Sequence, residues 1–170
     1  MALINVFGVA NPVKFAAALR RFPRSLPWGY ALMLLGTACF IWFVKNEPIS
    51  DFEPLKPALY TLFIAVGVGS CLFVKDFLAV RGLSVVIMLL AKVMVDTARF
   101  HDSSWRLVII TWAYLLVVAG IVFTVSPYRM RDVIYWKTAN EGRTRMLSGL
   151  RMAFGLFVAV LGFTVFKAHA

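Results

Sequence analysis

The sequence predicts an all-α integral membrane protein: a bundle of about five transmembrane helices with two interfacial amphipathic helices. Three observations carry this. Hydrophobic residues make up 61% of the 170 positions and charged residues only 15%. A soluble domain is about half apolar and about a quarter charged. The apolar residues are collected into runs near the length of about 20 that crosses a bilayer as a helix. The basic residues flank those runs rather than punctuating them. Together these exclude a soluble globular domain, a disordered chain and a disulfide-built secreted scaffold.

Five runs qualify or nearly qualify as spans: about 28–44, 57–74, 77–98, 105–125 and 146–166. Trp28, Tyr30 and Trp42 lie near the ends of the first, where aromatic rings favour the membrane interface. Pro57 opens the second, a position where its missing N–H costs nothing. The third is the weakest. Its uncharged core runs only from Gly82 to Ala91 and closes at Lys92. Arg81 and Lys92 extend it by snorkelling to opposite surfaces.

That weak run decides the topology. With five crossings, 12 basic residues fall on one side and 6 on the other. Without it the division is 10 to 8. Basic residues accumulate on the cytoplasmic side, so five crossings fit better. The N-terminus is then cytoplasmic, the C-terminus outside, and the chain multi-pass in a cell membrane. Met1–Ala10 lacks a basic n-region, so the first long run reads as an uncleaved signal anchor. A net charge of +10 would suggest nucleic acid in a soluble protein. Here topology accounts for it, and no nucleic-acid partner is expected.

Two stretches read as interfacial helices, 12–22 and 127–139. In the first, Phe15, Leu19 and Phe22 share one face and Lys14 and Arg21 lie opposite. Asn11 before Pro12 is the expected cap. The second begins at Ser126-Pro127 and collects Met130, Val133 and Ile134 on one face. Each is followed by basic residues and then a span, a faint internal repeat.

Ionisable groups near the membrane are the candidates for chemistry, because they are costly there. Lys92, Asp96 and Arg99, at steps of four and three, can meet on one helix face as a polar site. Lys75, Asp76 and Arg81 read as a tight turn. Arg129, Lys137, Arg143, Arg145 and Arg151 form a basic cluster suited to anionic lipid headgroups. No carboxylate falls in the middle of a span, which argues against a proton relay.

Small residues mark expected packing faces. Ala65 and Gly69, with Gly67 beside them, lie on the second run and Gly120 on the fourth. Gly155, Ala159 and Gly162 lie on the last. Cys39 and Cys71 sit in apolar runs, at opposite ends of their helices, and no disulfide is expected. His101 and His169 are far apart, so no zinc or haem spacing appears and no cofactor is expected. Nucleophile-elbow, phosphate-loop and HExxH motifs are missing, and His101-Asp-Ser-Ser reads as turn chemistry. An enzyme is therefore not expected.

Residues 112–166 combine an apolar run ending at Ser126-Pro127, the basic aromatic stretch Tyr128-Arg129-Met130-Arg131, and a glycine-bearing apolar run with Gly155 and Gly162. This third of the chain resembles a family of very short bacterial inner-membrane proteins with two spanning helices and no known function. The resemblance implies a bacterial cytoplasmic membrane and no activity. This chain departs from that pattern by three further spans ahead of it. The expectation is a non-enzymatic accessory or structural subunit of a larger membrane assembly, with the lipid bilayer and other membrane subunits as partners. The alternative is a small homo-oligomeric transporter or channel using Lys92, Asp96 and Arg99.

Overall fold

The computed structural model describes residues 2–47, 50–99 and 106–161. Among these the chain is all-helical, with α1 Ala2–Ala10, α2 Pro12–Arg21, α3 Leu26–Asn46, α4 Lys56–Phe73, α5 Leu78–Arg99, α6 Arg106–Val125, α7 Pro127–Lys137 and α8 Glu141–Leu161. Short 3-10 turns cover Phe22–Arg24 and Ser50–Leu55. Four helices are long and apolar enough to cross a membrane: α3, α4 with its preceding residues from Glu53, α5 and α6. The described part of the fifth run belongs to α8, which begins five residues earlier than expected and contains Glu141, Arg143, Arg145 and Arg151. Residues 162–166 of that run lie outside the described residues.

Proline sets the start of several helices. Pro12, Pro27, Pro57 and Pro127 each occupy the first turn of α2, α3, α4 and α7, where a missing N–H costs nothing. Asn11 and Ser126 adopt nearly the same non-helical backbone, φ −134°, ψ 75° and φ −129°, ψ 74°. Neither side chain caps its helix, so the expected Asn11 cap bond is not made. Each instead forms an elbow: Asn11 N–H donates to Phe7 O and Ser126 N–H to Val122 O. Each elbow helix then leads into a helix of 21 residues, α3 or α8. The repeat faint in the sequence is thus a repeated elbow in the structure.

Close approaches at glycine fix the order of the bundle. A Cβ at Gly29 would lie 2.9 Å from Leu78 Cβ, one at Gly36 would lie 2.9 Å from Val85 Cγ1, and one at Gly82 would lie 2.8 Å from Met33 N. Those pairings advance together along both helices, so α3 and α5 run parallel. Phe40 stacks on Phe63 at 3.9 Å, and Gly67 faces Thr37, so α4 runs antiparallel to α3. Gly120 lies under Met88, and Ala91 packs with Ala113 and Leu116, so α6 runs antiparallel to α5. The central helix is α5, packed on both α3 and α6, with α4 on the far side of α3. It is the most buried of the four, and its best window is more apolar than those of α3 and α4.

Beyond α6, α7 packs against α2, and α8 turns back so that its Phe154 meets Trp112 of α6 at 4.7 Å. The N-terminal α1 packs along α8. As a consequence the segments 12–24, 75–81 and 127–151 gather at one end of the bundle. They contain 12 of the 18 basic residues and 3 of the 8 acidic ones.

Candidate functional site

The basic end is built from three segments far apart in sequence. Pro23 is buried in its 3-10 turn and brings Arg20 and Arg24 toward α7. Between α4 and α5 the chain reverses through Phe77, at φ 55°. A bulky residue in the left-handed region is an outlier, costing about 1–2 kcal/mol. Residues Arg20, Pro23, Arg24, Phe77, Arg131, Asp132 and Tyr135 enclose a half-open cavity of about 440 Å³.

Two of its arginines are held in place. Arg20 donates from Nε to Thr138 Oγ1 at 2.9 Å and from Nη2 to Thr138 O at 2.6 Å. Its guanidinium lies over the Tyr135 ring at 5.1 Å, a favourable cation–π geometry. Arg131 donates from Nε and Nη2 to Asp132 Oδ1, at 3.1 and 2.9 Å. Among the described residues no carboxylate pairs with Arg24. One turn beyond Phe77, Arg81 has a buried Nε that bonds no described residue. The cavity therefore sets three arginines against one aspartate.

Beside the cavity, Lys137 is buried at 5% exposure, with Nζ 5.5 Å from the Phe15 ring centre. Burial, with the nearby charge of Arg151, pushes its amine down to about 8. Thr144 donates to Lys137 O at 3.3 Å and to Asn140 O at 3.0 Å. Ser148 is fully buried against Gly8, and its Oγ bonds no described residue.

Of the sequence-derived basic cluster, one member is withdrawn from the surface. Lys137 lies inside the packing of α2, α7 and α8 rather than on the surface. Arg143 folds onto Trp136, with its guanidinium 5.1 Å from the ring and Nη1 donating to Trp136 O at 3.3 Å. Arg129, Arg145 and Arg151 are exposed. The cavity arginines Arg20, Arg24 and Arg131 were not singled out by spacing. Their common position on the two elbow segments is the signal that could have found them.

At the opposite end, Lys92 donates to Asp96 one turn on and pairs with Glu47, just past α3, at 3.1 Å. Its Nζ also lies 5.4 Å from the Phe43 ring. The expected association of Lys92 with Asp96 is present, and Glu47 joins it from the C-cap of α3. Arg99 is exposed in the last turn of α5. Lys92, Glu47 and Asp96 are 36–52% exposed.

The small residues divide into used and unused faces. Gly120 meets Met88. Gly155 and Ala159 line an apolar groove of about 250 Å³ with Leu90, Met94, Trp112 and Phe154. Gly67 is the packing glycine of α4, while Ala65 is exposed and nothing lies within 4 Å of a Cβ at Gly69. Gly162 lies outside the described residues, as does the 101–104 turn. Cys39 and Cys71 are free thiols, and no group of metal-ligating side chains occurs among the described residues.

No known protein family, curated protein or solved structure matches the chain. The functional reading accordingly rests on the residues themselves.

Proposed function

We propose that this protein is a non-enzymatic accessory subunit of a bacterial inner-membrane assembly. It crosses the bilayer five times, with the N-terminus and the basic end in the cytoplasm, and docks other membrane subunits through α4. The observation that carries this is the unoccupied face at Ala65 and Gly69. The glycines at 29, 36, 67, 82 and 120 are each in tight contact with a neighbouring helix of this chain. Gly69 is not, although glycine weakens a helix by about 1 kcal/mol relative to alanine. Between membrane helices association depends on backbone approach at small residues, since lipid is as apolar as leucine.

Spans that touch only thinly support the same reading. Among the spans α4 packs chiefly on α3, and only Cys71 near its end joins Met33 and Leu78 in a buried cluster. The hydroxyls of Thr37, Thr61, Ser84, Thr97 and Thr124 each donate to the carbonyl four residues back in their own helix, so their protons are satisfied locally.

The test is the composition of the native particle, extracted in mild detergent. Other membrane proteins at fixed stoichiometry are expected, and Gly69→Leu should release them while the chain stays folded. A lone homo-oligomer would overturn this function and favour the transporter reading, in which Lys92, Asp96 and Arg99 face a pathway.

A further inference from the structure

The arginine cavity has no part in the docking of α4, and its chemistry is distinct. Its charge balance is positive, its shape is concave, and it sits at the level where α4 ends and α5 begins. Arg20 and Arg131 are anchored by Thr138, Tyr135 and Asp132, so little ordering remains to be done on binding. Arg24 is exposed and uncommitted. Guanidinium groups match phosphate oxygens with paired N–H bonds. The cavity volume of about 440 Å³ falls within the usual range for small-ligand sites, about 300–1,000 Å³. Asp132 opposes an anion in part, and its bonds to Arg131 keep that carboxylate occupied.

Phe77 supplies the remaining wall from a strained backbone. Strain of this kind persists where the surroundings impose it, and it concentrates at ligand sites. The wall is apolar and adjoins the ends of two membrane helices, with Phe73 of α4 86% exposed four residues earlier. A bound phosphate here would have hydrocarbon-facing surface directly beside it. We propose that the cavity binds the phosphate of an anionic phospholipid, with Arg24, Arg20 and Arg131 on the phosphate and the acyl chains descending past Phe77.

The experiment uses the full chain in detergent, with phosphatidylglycerol and phosphatidylcholine binding counted by native mass spectrometry. Phosphatidylglycerol is expected to bind in preference. In R24Q/R131Q its affinity should fall about tenfold for each arginine. R145Q, which removes another exposed arginine outside the cavity, should change it by less than about twofold. Arg24 bonds no described carboxylate, so R24Q alone should leave the melting temperature without lipid unchanged and serves as the folding control. An undiminished affinity in R24Q/R131Q, or an equal loss in R145Q, would overturn the site. Inorganic phosphate binding as tightly as the lipid would assign the cavity to a soluble phosphate and overturn the lipid.

Discussion

Gly82 of α5 lies against the backbone of Met33 in α3, where a Cβ would come within 2.8 Å of the Met33 nitrogen. Backbone cannot yield as a flexible side chain can. Gly82→Ala is therefore expected to destabilise the bundle by about 1–3 kcal/mol, despite alanine's better helix propensity. Gly69→Ala meets nothing and should leave stability unchanged or raise it by up to about 1 kcal/mol. Melting temperatures of both variants in one detergent check this. Equal shifts would refute the close approach of α3 and α5.

Lys137 makes stability depend on pH. Its folded pKa of about 8 lies below the ordinary lysine value of 10.5. Between these values the unfolded chain holds the proton and the folded chain does not, so stability rises with pH. The folded state should be more stable at about pH 9.5 than at about pH 7, by on the order of 1–2 kcal/mol. Lys137→Met should stabilise at neutral pH and flatten the dependence. Melting curves across that window decide it, and a slope that survives the substitution places the titrating group elsewhere.

The spans were legible because each is a local property of hydropathy. The expected runs 28–44, 57–74 and 105–125 became Leu26–Asn46, Lys56–Phe73 and Arg106–Val125. The weak run 77–98 became Leu78–Arg99. The α1 helix was not legible. It has nine residues and no basic or acidic residue in its end turns, too short to span, and it is held by packing on α8. The α4 stripe was legible only in part. Two residues are about 200° around a helix, so Gly67 and the Ala65–Gly69 pair could not both face α3. The cavity was hidden for a different reason: Arg20 and Thr138 are 118 positions apart, and nothing local announces their meeting.

Lys92 shares its charge between Glu47 and Asp96. All three are partly exposed, so each pair is worth little alone, about 0–1 kcal/mol. When one carboxylate is removed the other retains the lysine. Glu47→Gln and Asp96→Asn are each expected to cost about 0.5 kcal/mol, and the double variant more than their sum. A double-mutant cycle by thermal unfolding measures the coupling. Strict additivity would show that the two carboxylates do not share Lys92.

The charge division between the two ends predicts the orientation. The basic end carries 12 of the 18 Lys and Arg residues, and the positive-inside rule counts these near the span ends without offsetting the acids. Ala139, between α7 and α8, and Asn46, at the end of α3, are both exposed and lie at opposite ends of the bundle. In a background carrying Cys39→Ala and Cys71→Ala, a membrane-impermeant maleimide applied to intact cells should label Asn46→Cys and leave Ala139→Cys untouched. After permeabilisation both should react. A tag attached after Ala170 should be reached from outside only if the chain crosses again beyond α7, because α6 returns it to the basic end. Labelling of Ala139→Cys in intact cells would invert the orientation. A tag sealed inside, with the Asn46 result unchanged, would reduce the crossings to four and leave α8 on the cytoplasmic side.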